Sequence, residues 1–277
     1  MTLKAARRSF IHHLIPKYGL GEAESIARLI FEDVFFPLNM LELSEAHLAQ
    51  LQEIQRRLLQ DEPVQYILGQ ADFFGLKLGV NPSVLIPRQE TEELVALILE
   101  RVGKAFEGKI LDIGTGSGCI PIALKKHLPF SQVNACDVSE AALEVAKANA
   151  QKYGLDISFF HVDILNQSAW KALPEYDLIV SNPPYIPFQE AQLMPKQVKD
   201  FEPDLALFVE NDDALVFYRH IAQFAQEKLS REGSIFFELN EYHARRVVHL
   251  LKLKGFRGIQ LHLDLNGKER MLSAKWK

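Results

Sequence analysis

With 48% hydrophobic and 24% charged residues over 277 positions, the chain has the balance of an ordinary soluble protein and is long enough for a large domain with a smaller companion. Its net charge of −5 argues against a protein that grips nucleic acid through phosphates, although Lys4, Arg7, Arg8 and Lys17 could form a local basic surface or merely a solvated helix face. Cys119 and Cys136 lack metal-ligand spacing and the nine histidines form no cluster. Neither a metal site nor a disulfide framework is therefore expected, and both cysteines read as core residues. No signal-like apolar core follows the basic start and no run is long enough to cross a bilayer, which predicts a soluble, cytoplasmic protein.

From residue 2 to 60, apolar residues recur at helical spacing, as in Ile26, Leu29, Ile30 and Val34 and again in Leu48, Leu51, Ile54 and Leu58. Gly19 and Gly21 separate the first two helices, Pro37 ends the second, and Ser44 can cap a third, giving a small helical domain over 1–70. Strand-like segments from Ala71 to Pro87, with Asn81-Pro82 as the turn, predict a β-hairpin linker over 71–88. Glu90 to Val102 reads as the helix that leads into a second domain over 89–277.

That domain opens with an apolar strand, Ile110 to Ile113, running into Gly114-Thr115-Gly116-Ser117-Gly118 and then into a helix-forming stretch. Glycines let a backbone approach a ligand closely. Their G-x-G-x-G spacing departs from the dinucleotide fingerprint, and no Lys-Ser or Lys-Thr pair follows, so neither NAD nor ATP is favoured. A second strand ends in Asp137, about 20 residues past the loop, where an α/β nucleotide site places a carboxylate on ribose hydroxyls. Asp137 could also cap the helix that starts near Ser139, but its pairing with the glycine loop favours the ligand role.

Alternation continues with a helix over 139–153 and strands over 157–162 and 178–181, which specifies a parallel sheet with crossover helices. Asn182-Pro183-Pro184-Tyr185 follows the last of these strands. The prolines fix φ and lack N–H groups, so the elbow is rigid and rich in acceptors. The Asn182 carboxamide, the Pro183 carbonyl and the Tyr185 face suit a planar group bearing two N–H donors, such as an amide or an exocyclic base amine; an ordinary Pro-rich turn is the plain alternative. The aperiodic stretch from 186 to 212 reads as a loop walling a substrate channel. A helix over 213–229, a strand over 234–239 and a helix over 241–254 lead to strands over 258–265 and 270–275. These flank Asn266-Gly267, a tight-hairpin signal, so the last strand is antiparallel.

The glycine loop, the ribose acid and the acceptor-rich elbow, in that order, resemble class I methyltransferases that use S-adenosyl-L-methionine. Pro63 to Gly69, Phe73 to Leu76, Val84 to Glu92, Phe201-Glu202-Pro203 and Gly267 to Arg270 narrow the resemblance to the HemK/PrmC family of peptide chain release factor N5-glutamine methyltransferases. The resemblance implies an α/β, Rossmann-like class I methyltransferase fold with an antiparallel last strand, plus an N-terminal helical substrate-recognition domain. It also implies transfer from S-adenosyl-L-methionine, leaving S-adenosyl-L-homocysteine, to the glutamine of the Gly-Gly-Gln motif in class I release factors. The enzyme is expected to act as a monomer without stable nucleic-acid binding.

For the cofactor, the resemblance implies Gly114 to Gly118 against the methionine part, Asp137 on the ribose, and Asp163 with Ile164 beside the adenine. Asn182 sits between cofactor and substrate, Pro183, Pro184 and Tyr185 complete the catalytic and substrate-binding elbow, and Arg88, Glu90 and Thr91 line the pocket. Read from residue type alone, Asp163 could be a turn residue, Thr91 a helix cap and Arg88 a surface partner. Three positions depart from the family pattern: Gln89 where many members have proline, Ile164 where an aromatic is common, and Asn240 after Phe237-Glu238-Leu239. A nucleic-acid base-amine methyltransferase would use the same elbow on a flipped base but lacks a basic recognition module here. A non-catalytic cofactor-binding adaptor is the remaining alternative.

Overall fold

A computed structural model describes residues 1–36, 41–211 and 213–277, so the helix stop expected at Pro37 lies outside the described residues. The chain forms two compact units, Met1–Gln70 with Pro195–Phe201 and Ala71–Met194 with Glu202–Lys277.

In the first unit, α1 (Leu3–Ile30) is broken at Gly19, whose φ of 73° and ψ of 169° no helix accommodates. Glycine adopts that conformation without a Cβ penalty, and two helical runs result. A wider helical turn at Phe31–Phe35 follows, then α2 (Glu45–Leu59) and α3 (Val64–Leu68). The Ser44 hydroxyl accepts the His47 N–H at 3.3 Å and caps α2. Ile26, Ile30, Leu51, Ile54 and Leu58, which the helical periodicity marks, form the core of this unit with Phe10, Leu14, Phe31 and Phe35, which it does not.

The hairpin pairs β1 (Gln70–Phe73) with β2 (Leu76–Gly79). Its turn is Phe74-Gly75, both at positive φ (49° and 73°), and not Asn81-Pro82. Consecutive left-handed residues match the twist of a two-residue hairpin, a role usually taken by Asn-Gly, so phenylalanine conceals the signal. Asn81 lies beyond β2, where its Oδ1 accepts the Ser83 N–H at 2.9 Å.

Beyond α4 (Gln89–Val102), strands and helices alternate: β3 (Lys109–Ile113), α5 (Cys119–His127), β4 (Gln132–Asp137), α6 (Glu140–Lys152), β5 (Ile157–His161) and β6 (Tyr176–Ser181). The stretch predicted as a loop holds short elements instead: β7 (Ile186–Pro187), a 3₁₀ turn (Phe188–Leu193), α7 (Lys196–Phe201), α8 (Asp204–Leu207) and β8 (Phe208–Val209). β7 pairs with β8, and the Phe188 and Phe208 rings stack at 4.9 Å. The chain closes with α9 (Val216–Lys228), β9 (Leu229–Glu238), α10 (Ala244–Leu253), β10 (Arg257–Leu263) and β11 (Glu269–Lys275).

The main sheet has the order β10-β11-β9-β6-β3-β4-β5. The five strands from β9 to β5 run parallel, and β11 is antiparallel to both β9 and β10, as the Asn266-Gly267 signal predicts. Alternate residues of the central strands enter opposite cores: Leu111, Ile113 and Ile179 join Trp170, Tyr218 and Phe237, whereas Ile110, Leu178 and Val180 join Leu94, Val95 and Ile98. Each fully buried aliphatic side chain contributes about 1.5–3 kcal/mol, so the two-sided burial fixes the register of β3 and β6. Strand order reverses at β3, with β4 on one side and β6 on the other. The carboxyl ends of these three strands therefore open a crevice where α/β sheets bind ligands. Among the described residues no helix is long and apolar enough to cross a membrane.

Candidate functional site

A cavity of about 290 Å³ opens at that strand-order reversal, close to the lower end of ordinary ligand sites at ~300 Å³. Register places Ile113 beside Ser181, and the Ser181 hydroxyl donates to the Ile113 carbonyl at 2.7 Å. The glycine loop and the Asn182 elbow thus leave neighbouring strands at one level. Gly114, Thr115, Gly116, Ser117, Asn182, Pro183 and Pro184 all line the cavity.

The loop is held from behind. The Gly114 and Thr115 N–H groups donate to the Cys136 carbonyl at 2.9 and 3.1 Å, and Asn149 Nδ2 donates to the Ser117 carbonyl at 2.9 Å. Gly114 and Gly116 have φ of 75° and 53°, and a Cβ on either would meet no atom within 4 Å. Their bare faces form a cradle beside the cavity. Gly118 is different: it is absent from the cavity lining, and a Cβ there would stand 3.1 Å from both Ala146 Cβ and Ile122 Cδ1. Its glycine serves close packing of α5 on α6.

Asp137 lines the cavity at the end of β4. Its Oδ2 accepts the Gly116 N–H and its Oδ1 the Ser139 N–H, both at 2.9 Å. The cap of α6 is Ser139, whose hydroxyl accepts the Ala142 N–H. Asp137 therefore joins the loop to the helix entry without being the cap, and each oxygen keeps a lone pair for ligand hydroxyls. Burial raises its pKa against the lowering effect of these N–H donors. Asp163 and Ile164 also line the cavity; Asp163 is exposed and makes the expected local turn, accepting the Leu165 N–H at 2.9 Å.

Asp112, one strand residue below the loop, is fully buried, and neither carboxylate oxygen has a hydrogen-bond partner among the described residues. Burial pushes it up to about 7, and the nearby Thr115 hydroxyl opposes that shift without meeting hydrogen-bond geometry. Burial likewise pushes the Cys119 thiol up to about 12, so this cavity-lining cysteine is an inert wall at neutral pH.

Arg88 and Thr91 line the cavity, whereas Glu90 does not. The Arg88 guanidinium pairs with Glu202, whose other oxygen accepts the Ile86 N–H at 3.1 Å. This clamp fixes the chain just before Pro203, Leu205 and Ala206, which form a cavity wall. Thr91 is buried inside the first turn of α4, where Arg88 is the cap residue. The Thr91 hydroxyl donates to Glu238 Oε2 at 2.6 Å and accepts from Asn182 Nδ2 at 3.3 Å. Tyr185 turns away from the cavity lining and packs, half-buried, against the core that contains Tyr218 and Phe237; burial raises its phenol pKa.

The charged groups of the lining are Arg88, Asp137 and Asp163, and the one cation among them is paired with Glu202. Such a balance favours a ligand with a cationic centre and hydroxyl groups over one carrying a pyrophosphate. Sequence reasoning missed the apolar wall of Val84, Leu85, Leu205, Phe217 and Ile221, because aliphatic and aromatic residues carry no chemical signal until the fold gathers them. It also missed Glu238, for which a carboxylate directly after the apolar run Ile235-Phe236-Phe237 was the available clue.

Residues 8–69 match the family described as PrmC N-terminal domain, and residues 88–199 match the Methyltransferase small domain. The release factor glutamine methyltransferase of Flavobacterium psychrophilum is 40% identical, with 100% of each chain covered. That of Bacteroides thetaiotaomicron is 41% identical over 84% of this chain and 82% of its own. Among solved structures, a methyltransferase from Pyrococcus furiosus superposes with a TM-score of 0.54 at 16% identity, covering 81% of this chain and 98% of that one, which shows a shared fold.

Proposed function

The chain belongs to the release factor glutamine methyltransferase family, and on that premise we propose that it transfers a methyl group from S-adenosyl-L-methionine to the glutamine side-chain nitrogen in the Gly-Gly-Gln motif of class I peptide chain release factors. The observation that carries this reading is the state of Asn182. It lines the cavity beside the glycine loop, its Nδ2 is engaged by Thr91, and its Oδ1 has no hydrogen-bond partner among the described residues. An acceptor held in this way, next to a proline carbonyl, suits a carboxamide NH2.

The donor fits the residues present. Gly114 to Ser117 would lie along its amino-acid part, Asp137 would take the ribose hydroxyls, and Asp163 with the buried Ile164 would border the adenine. Asp137 and Asp163 supply negative potential toward a sulfonium cation. When bound, S-adenosyl-L-methionine supplies an activated methyl group.

An amide nitrogen is a poor nucleophile because its lone pair is delocalised, so position must compensate. Asn182 Oδ1 and the Pro183 carbonyl would accept the two substrate N–H groups and aim the lone pair into the cavity. The same two acceptors would stabilise positive charge as the N–CH3 bond forms and the donor's S–CH3 bond breaks; the methylated amide nitrogen is then acidic enough to release its extra proton to solvent, so no strong general base is required. Tyr185 would support the elbow from the core side rather than stack on substrate. On this reading the enzyme works in the cytoplasm, as a monomer, on a folded protein and without stable nucleic-acid binding, in keeping with its charge of −5.

Turnover of a release factor by the Asn182→Ala variant tests the assignment. We expect kcat to fall ~100-fold or more with a smaller change in cofactor affinity; wild-type turnover would remove Asn182 from the chemistry.

A further inference from the structure

We propose that Thr91 and Glu238 are positioning residues that set which end of the Asn182 amide faces the cavity. The inference rests on the reading of Asn182 as the acceptor of the substrate amide. It follows from counting protons along a chain of three side chains drawn from three separate elements: Thr91 in α4, Asn182 after β6 and Glu238 at the end of β9.

A hydroxyl carries one proton and two lone pairs, and an ionised carboxylate only accepts. The 2.6 Å contact with Glu238 Oε2 therefore takes the single Thr91 proton. What remains on Thr91 Oγ1 is lone pairs, and the group facing it at 3.3 Å must be a donor. Asn182 meets that demand only by presenting its NH2. Rotation of the amide by half a turn would set Asn182 Oδ1 against Thr91 Oγ1 with no proton between them. The rejected rotamer is the one that would offer NH2, a useless donor, to a substrate NH2. Glu238 thus transmits a choice of polarity through Thr91 to an atom it does not touch.

The surroundings make the relay rigid. Glu238 and Thr91 are 3% and 2% exposed, so water does not compete for either group. The Glu238 backbone is itself pinned, since the Tyr218 hydroxyl donates to its carbonyl at 3.1 Å. Glu238 enters no direct ion pair among the described residues, and its hydrogen bond to Thr91 is its one side-chain link there. Protonated Glu238 could instead donate to Thr91, which would free the Thr91 proton for Asn182 Oδ1 and erase the polarity. Burial first, then Glu90, raises the Glu238 pKa to about 7, while Thr91, Arg270 and Arg88 lower it; Tyr185, Tyr218 and Cys119 are the other titratable groups near it. The polarity should therefore strengthen as pH rises through neutrality.

The test compares wild type, Thr91→Val, Thr91→Ser, Glu238→Gln, Asn182→Ala and the Thr91→Val/Asn182→Ala pair for release factor methylation and for S-adenosyl-L-methionine binding by calorimetry. We expect Thr91→Val to lower kcat ~10–100-fold with cofactor Kd within about threefold. Thr91→Ser should restore kcat to within about threefold, and Thr91→Val should cost nothing further in the Asn182→Ala background. Wild-type kcat should rise through pH 7 while Glu238→Gln loses that limb. Unchanged kcat in Thr91→Val, a raised cofactor Kd as its only effect, or a full additional loss in the double variant would overturn the inference.

A readout free of turnover separates this from the functional reading. In 15N-labelled protein, the Asn182 side-chain NH2 signals, identified by their loss in Asn182→Ala, should shift and exchange faster with solvent in both Thr91→Val and Glu238→Gln. Signals indifferent to both substitutions would refute the relay whatever the enzyme methylates. Perturbed signals in an enzyme that leaves release factors unmethylated would uphold the relay and refute the substrate.

Discussion

The Gly116 N–H donates to Asp137 Oδ2 at 2.9 Å, so the centre of the glycine loop is tied to the acid at the end of the next strand. One carboxylate thereby shapes the loop and faces the cavity. Asp137→Ala should weaken S-adenosyl-L-methionine binding ~10–100-fold, the range for hydrogen bonds to a charged group, with kcat at saturating cofactor changed far less. Calorimetric Kd beside saturated turnover checks this; equal losses in both would place Asp137 in the chemistry rather than in binding.

The glycines of the loop should separate into two kinds. Gly116→Ala, with φ of 53° and open space around the new Cβ, should cost only ~1 kcal/mol of stability but obstruct the cavity and lower cofactor affinity ~10-fold or more. Gly118→Ala, with φ of 80° and neighbours at 3.1 Å, should cost about 2 kcal/mol in stability and act on binding only through the fold. Denaturant melts paired with binding titrations distinguish the two.

The Arg88–Glu202 pair holds the cavity wall in place. The Glu202 side chain is 1% exposed and that of Arg88 34%, so Arg88→Ala strands a buried carboxylate with the Ile86 N–H as its remaining partner. Allowing for the exposure of Arg88, we expect a loss of about 2 kcal/mol in stability and weaker cofactor binding as the 203–206 wall loosens. The double variant Arg88→Met/Glu202→Leu should recover only part of that loss, because it removes the unpaired charge but leaves the buried Ile86 N–H without its acceptor.

Asp112 should give the fold a pH signature. Burial raises its folded pKa to about 7 from 3.8, so its contribution to stability is complete below about pH 3.8 and is lost as pH rises through about 7. Relative to Asp112→Asn, the cofactor-free wild type should lose on the order of 3 kcal/mol of stability between pH 5 and pH 8. Parallel stability curves for the two proteins would contradict a protonatable Asp112.

Short-range patterns made much of this molecule legible. Strand β3, the glycine loop, Asp137 and the Asn182 elbow each declare themselves within a few residues, and the Asn266-Gly267 turn announces the antiparallel end of the sheet. What stayed hidden depends on partners far along the chain. Phe74-Gly75 takes a turn conformation that phenylalanine does not advertise. Residues 186–209 form elements because Ile186 pairs with Phe208 and Phe188 stacks on Phe208, contacts that no local periodicity encodes. Strand β9 starts at Leu229 rather than near 234, since Glu232 at φ 65° allows the chain to bend without leaving the sheet. Asp137 was ambiguous between ligand and cap until Ser139 proved to be the cap. Thr91 and Glu238 are 147 positions apart, and only the folded sheet makes them neighbours.

Transfer of labelled methyl from S-adenosyl-L-methionine decides whether this cavity methylates a glutamine side chain. Purified class I release factor, its Gly-Gly-Gln Gln→Ala variant, tRNA, rRNA and duplex DNA would be offered in parallel. Label should appear on the release factor and vanish in the Gln→Ala variant. Label on a nucleic acid, or on the release factor irrespective of that glutamine, would contradict glutamine methylation.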